Sequence, residues 1–117
     1  MEYKDLQVWQ KSVDLCVEVY RLVKLLPKEE TYALSDQMRR SVVSIPSNIA
    51  EGYARKSTKE YLKFLSIANG SRTELETQLI ICKKIGYLKD TDISSAIQTT
   101  EEIGKMISTI MSKLANK

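Results

Sequence analysis

The chain has 117 residues, 43% of them hydrophobic and 28% charged, with a formal net charge of +3. That length fits one domain spanning residues 1–117, and this ordinary globular composition lets it bury roughly two-thirds of its unfolded surface. No apolar run approaches the ~20 residues that span a bilayer. Met1 to Asp5 lack the basic-then-apolar pattern of a signal peptide, so a cytoplasmic protein away from membranes is expected.

Only four glycines and two prolines punctuate the sequence, which predicts long helices joined by short connections. The first helix is predicted from about Asp5 to Leu26. Leu6, Trp9, Val13, Cys16, Tyr20 and Val23 repeat at three-four spacing and define one face. A second row, Val8, Leu15, Val19, Leu22 and Leu26, lies about 100° away. The extra width predicts either a deeply buried helix or a second surface for another subunit. Pro27 stops this helix.

After Lys28–Thr31 a second helix is predicted to about Ala54, with Leu34, Met38, Val42, Ile45 and Ile49 facing the core. Pro46 lies inside it, removes one backbone hydrogen bond and is expected to kink it. Ser57 and Glu60 match a capping box opening a third helix that runs to about Ile85. Tyr61, Leu65, Ala68, Leu75, Leu79 and Cys82 share its apolar face, and Arg72 falls in register with them. Gly86 terminates it, and Asp90 or Thr91 is expected to cap a fourth helix. On that helix Ile93, Thr100, Ile103, Ile107, Ile110 and Leu114 keep near-heptad spacing. The fold class is therefore all-α, an antiparallel up-down-up-down four-helix bundle.

The sequence contains no histidine, which removes the commonest general base and transition-metal ligand. Glu51, Glu74 and Glu76 cannot build a di-iron site of the usual kind, which needs Glu-x-x-His motifs. There is no phosphate-binding glycine loop, Cys-x-x-Cys pair or nucleophile elbow. Cys16 and Cys82 are far apart, each in an apolar stripe; buried free thiols fit a reducing compartment better than a disulfide, which stays open. No catalytic residue, metal or cofactor is expected.

Two constellations remain. Asn48 and Glu51 lie three apart on the second helix, and Ser71 and Glu74 repeat that spacing on the third, beside Gly70 and Arg72. They predict a polar network between these helices, with Arg40 or Arg72 as its cation and Gly70 admitting a neighbouring backbone. Such networks fix register. The expectation is that Glu51→Ala or Glu74→Ala costs more than ~2 kcal/mol or alters assembly. The alternative is exposed polar positions on a kinked helix.

The second constellation is basic. Residues 36–63 sum to +3 and residues 64–89 to +2, while both ends of the chain are slightly acidic. Arg39, Arg40, Arg55, Lys56, Lys59 and Lys63 are candidates for nucleic-acid contact, with Lys83 and Lys84 further on. Tyr53 and Tyr61 flank the cluster and have the chemistry to stack on bases or on arginine. A merely solvated helix face is the competing reading.

The run from Gln37 to Gly52 containing Ser-Ile-Pro-Ser-Asn-Ile-Ala-Glu-Gly, with the segment from Ala68 to Leu79, resembles the bacterial four-helix bundle family of 23S rRNA intervening sequence proteins. Members were first recognised as reading frames inside intervening sequences of large-subunit ribosomal RNA genes. Residues 3–10 and 85–88 extend the likeness over nearly the whole chain, with no clear departure from the pattern. The resemblance implies a ring-like homopentamer and no catalytic residues. The family is also similar to the accessory protein of diversity-generating retroelements, a basic pentamer that engages a reverse transcriptase and nucleic acid. The expected function is a non-catalytic oligomeric bundle binding structured RNA or DNA, or a nucleic-acid-processing protein, through charge. The alternative is a protein–protein scaffold with no nucleic-acid role.

Overall fold

A computed structural model describes residues 1–116. Four helices form the bundle: α1 (Gln7–Val23), α2 (Leu34–Ala54), α3 (Thr58–Ile85) and α4 (Asp90–Ala115). Short 3-10 turns at Tyr3–Asp5 and Lys28–Glu30 precede α1 and α2, and no strand occurs among the described residues. α1 packs on α2, α2 on α3, α3 on α4, and α4 closes against α1. The contact between α2 and α3 is the most extensive. Facing positions on those two helices advance in opposite directions: Ser41 meets Gln78, Ser44 meets Ser71, and Gly52 meets Phe64.

Local chemistry sets the helix ends. α1 finishes at Val23 rather than Leu26, because the chain tightens into turn bonds from Leu25 N to Leu22 O and Leu26 N to Val23 O before Pro27. α2 begins at Leu34, whose N–H donates to Glu30 Oε1 at 3.3 Å; the other Glu30 oxygen accepts from the Tyr87 hydroxyl at 3.0 Å. One carboxylate thus ties the α1–α2 connection to the α3–α4 connection. Ser57 Oγ accepts from Glu60 N at the start of α3. Gly86 ends that helix with φ of 100°, a left-handed conformation that suits glycine. Lys89, rather than Asp90 or Thr91, holds the cap position of α4, and its N–H donates to Asp92 Oδ2 at 2.8 Å.

The core consists of aliphatic side chains from every helix, including Leu15, Ile45, Leu65, Leu79 and Ile103 at 1% exposure or less. Burying each such side chain contributes about 1.5–3 kcal/mol. On α2, α3 and α4 the buried faces follow the stripes read from the sequence. α1 is turned relative to its stricter stripe. Val8, Leu15, Val19, Leu22 and Leu26 face inward together with Val23 of the stricter stripe, while Tyr20 is 43% exposed and Leu6, Trp9, Val13 and Cys16 lie at the boundary. The reason is Ser12, which completes the inner row and is itself fully buried, its hydroxyl donating to Val8 O at 2.6 Å. On the outer side of the bundle Lys11 and Glu102 join α1 to α4 at 2.8 Å. The hydrogen bond from Lys11 holds the Glu102 carboxyl below its ordinary pKa.

α2 remains helical through Pro46, which is buried. The missing proline N–H would leave the carbonyl of Val42, four residues earlier, without its helical donor. Cys16 Sγ on α1 donates to that oxygen at 3.3 Å. A neighbouring helix thus supplies what the proline removes.

Candidate nucleic-acid interface

The connection between α2 and α3 is short because the helices approach closely at Gly52. A Cβ there would stand 2.6 Å from Phe64 Cβ and 3.1 Å from Tyr61 Cδ1. Gly70, expected from sequence to admit a neighbouring backbone, instead faces open space. Arg55 and Lys56 lie in the turn, and Lys59 and Lys63 follow on one side of the first turns of α3, one helical turn apart. Arg55 is engaged twice: Nη2 reaches Glu51 Oε2 at 3.2 Å, and the guanidinium carbon lies 5.1 Å from the Phe64 ring centre. Lys56, Lys59 and Lys63 are exposed and make no ion pair among the described residues.

The tyrosines flanking this cluster contact each other edge to face, with ring centres 5.8 Å apart at 83°. Tyr61 packs on the core, and burial, with the nearby Tyr53 hydroxyl, raises its pKa. Arg39 and Arg40 stand at the far end of α2. Sixteen residues separate Arg39 from Arg55, about 24 Å along the axis. Arg39 donates to Thr31 O at 3.1 Å, and Arg40 pairs with Asp36 at 3.0 Å. Lys83, at that same end, pairs with Asp90 at 2.8 Å. The six basic residues therefore occupy two ends of the bundle, and one end gathers Arg55, Lys56, Lys59 and Lys63.

The polar residues divide into separate groups. Asn48 Nδ2 donates to Ser44 O at 2.7 Å and to Ser44 Oγ at 2.9 Å, and Ser44 Oγ meets Ser71 Oγ across the helices at 2.8 Å. Ser41 and Gln78 make a second bridge between α2 and α3 at 2.8 Å, and Gln78 donates to Glu74 at 3.4 Å. Glu51 joins neither group; it is half-exposed and paired with Arg55 on its own helix. Arg72 turns toward α4, bonding Asn69 Oδ1 at 2.9 Å and Thr100 O at 3.4 Å, with Glu76 Oε2 at 3.6 Å. Gly104 gives it room, since a Cβ there would stand 2.7 Å from Arg72 Cζ. Ser41, Ser44 and Gln78 were not singled out from sequence. For the two serines the signal is small polar residues recurring along the α2 face that meets α3; Gln78, on α3, stands among apolar positions with no such repeat.

Both cysteines are free thiols. Burial pushes each pKa up from 9.0 to about 11, the wrong direction for a nucleophile. Among the described residues no group of three carboxylates or thiols is placed to hold a metal ion, and no helix is long and apolar enough to cross a membrane.

Fold and surface together define an all-α four-helix bundle with one lysine-rich end and polar bridges between α2 and α3. The chain matches the 23S rRNA-intervening sequence protein family over residues 4–109 and belongs to it. A solved relative from Bacteroides thetaiotaomicron, a protein of unknown function from the S23 ribosomal protein family, is 28% identical. The alignment covers 89% of this chain and 97% of that one, with a TM-score of 0.82. No curated protein matches.

Proposed function

We propose that this chain is a non-catalytic subunit of a cytoplasmic homopentamer that binds structured RNA or DNA, or a nucleic-acid-processing protein, through its basic surface. The observation that carries the reading is the lysine cluster at the α2–α3 end. Lys56, Lys59 and Lys63 are exposed without carboxylate partners, so they are available to phosphates. Repetition around a ring multiplies a weak surface into a strong one. Two unlike apolar patches favour such a ring. Val17 and Tyr20 are exposed on α1 beside Cys16, and Ile80 is exposed in a groove of about 520 Å³ along α3 and α4 where Ile93 and Ile97 are rimmed by Lys83, Lys84, Asp90 and Glu101. Patches of different composition on different faces suit head-to-tail contacts, which form a ring when the rotation between subunits closes. The number five rests on the family resemblance.

Phosphate contacts without base-edge readers give low sequence specificity. The test is titration of the purified oligomer with structured RNA and with duplex DNA. Submicromolar binding at low salt, abolished when Arg55, Lys56, Lys59 and Lys63 become alanine, supports the reading. Absence of binding at about 50 mM salt, where phosphate contacts are strong, refutes it.

A second reading, a scaffold for a protein partner, is favoured by a groove of about 440 Å³ between the start of α1 and the end of α4, which includes Leu6, Val8, Met106 and Ile110. An apolar groove of this kind suits a partner helix. Tight binding of a protein that survives high salt would favour it.

A further inference from the structure

We infer that the lysine-rich end takes the paired phosphate backbone of a duplex in preference to a single strand. The inference rests on the proposed nucleic-acid role and narrows its substrate class. A protein favours single strands when it offers aromatic faces on which unpaired bases stack. At this end the aromatic side chains are already occupied. Tyr53 and Tyr61 contact each other edge to face, and Tyr61 is packed on the core. Arg55 covers the Phe64 ring at 5.1 Å. Tyr3 and Trp9 form another edge contact at 5.3 Å, and Lys4 lies 5.9 Å from the Tyr3 centre.

The one nearly fully exposed tyrosine, Tyr32 at 94%, lies at the opposite end of the bundle. There residues 28–40 balance, with Lys28, Arg39 and Arg40 against Glu29, Glu30 and Asp36, and residues 83–92 add Lys83, Lys84 and Lys89 against Asp90 and Asp92. The exposed Tyr32 and the cluster of Lys56, Lys59 and Lys63 are thus on different ends. What remains beside the α2–α3 turn is three ammonium groups with no stacking platform.

Magnitudes decide which strand form wins. A duplex presents one charge per ~1.7 Å, twice the density of a single strand, and each neutralised phosphate carries a salt slope of about 0.9 against 0.7. For three lysines per chain, extrapolation from 1 M to about 50 mM salt favours the duplex by roughly sixfold. One stacked base would favour the single strand by about fivefold or more. A single working stacking site therefore cancels the preference, and two reverse it.

The experiment measures binding of the full-length oligomer at about 50 mM salt to duplex DNA, duplex RNA, the component single strands and an abasic strand of equal phosphate number. Binding several-fold tighter to either duplex than to its own single strands is expected, and the tighter duplex names the source. The abasic strand should bind as well as the strand carrying bases. Equal or tighter binding to the single strands, or a gain of about fivefold from the bases, would overturn this inference and leave the broader nucleic-acid role intact. No binding to any of them would overturn both.

Discussion

Gly52 on α2 and Gly70 on α3 belong to the same helix pair and meet opposite surroundings. A methyl group at Gly52 would collide with Phe64 Cβ, which is fixed by its own backbone, whereas Gly70 faces open space. Gly52→Ala should therefore cost about 1–3 kcal/mol through overpacking, while Gly70→Ala should stabilise by about 0.5–1 kcal/mol through helix propensity. Urea unfolding of the two variants checks the opposite signs. Cys16 and Pro46 present a second test at this scale. Removing the thiol leaves Val42 O without a donor, at a cost of about 1 kcal/mol. In a Pro46→Ala background the residue-46 N–H takes over that oxygen, so Cys16→Ala should cost less. A double-mutant cycle should give a coupling of about 0.5–1.5 kcal/mol. Additive effects would show that the thiol and the proline act independently.

Between elements, burial decides which polar contacts matter. Glu51 and Arg55 form a half-exposed pair on one helix, so Glu51→Ala should change stability by no more than about 0.5 kcal/mol. Gln78 is 6% exposed and accepts from the buried Ser41 hydroxyl, so Gln78→Ala should cost about 1–3 kcal/mol by chemical denaturation. That ordering replaces the expectation from sequence that Glu51 anchors a network. Spacing of three residues places Asn48 and Glu51 on one broad face, but it does not say which neighbour lies across from each. The four helices were legible because their apolar stripes, Ser57, Gly86 and Pro27 all act locally. The inner face of α1 was less legible. Ser12 bonds its own helix and sits in the core while counting as polar in any periodicity, so the unbroken outer stripe looked stronger. The basic cluster at residues 55–63 was legible from proximity in sequence. The separation of Arg39 and Arg40 from it follows from helix rise once α2 is known to be continuous.

For the whole molecule, alkaline pH gives a global test of the packing around the thiols. Burial raises the pKa of Cys16 and Cys82 from 9.0 to about 11, and Tyr61 and Tyr87 shift in the same direction. Between those values the folded chain keeps protons that the unfolded chain releases, so stability is fully present below pH 9 and declines as pH rises toward 11. Urea midpoints at pH 8 and about 10.5 should differ in that sense, and equal midpoints would contradict the buried-thiol account. The central claim, however, concerns charge at one end of the bundle. Its most direct test is the dependence of duplex affinity on salt for the unaltered protein and for a variant with alanine at Lys56, Lys59 and Lys63. The account predicts a linear fall of log affinity with log salt, and a slope smaller in the variant by roughly 2.7 per chain engaged. An unchanged slope in the variant would mean that phosphates are held elsewhere on the molecule and would contradict the account.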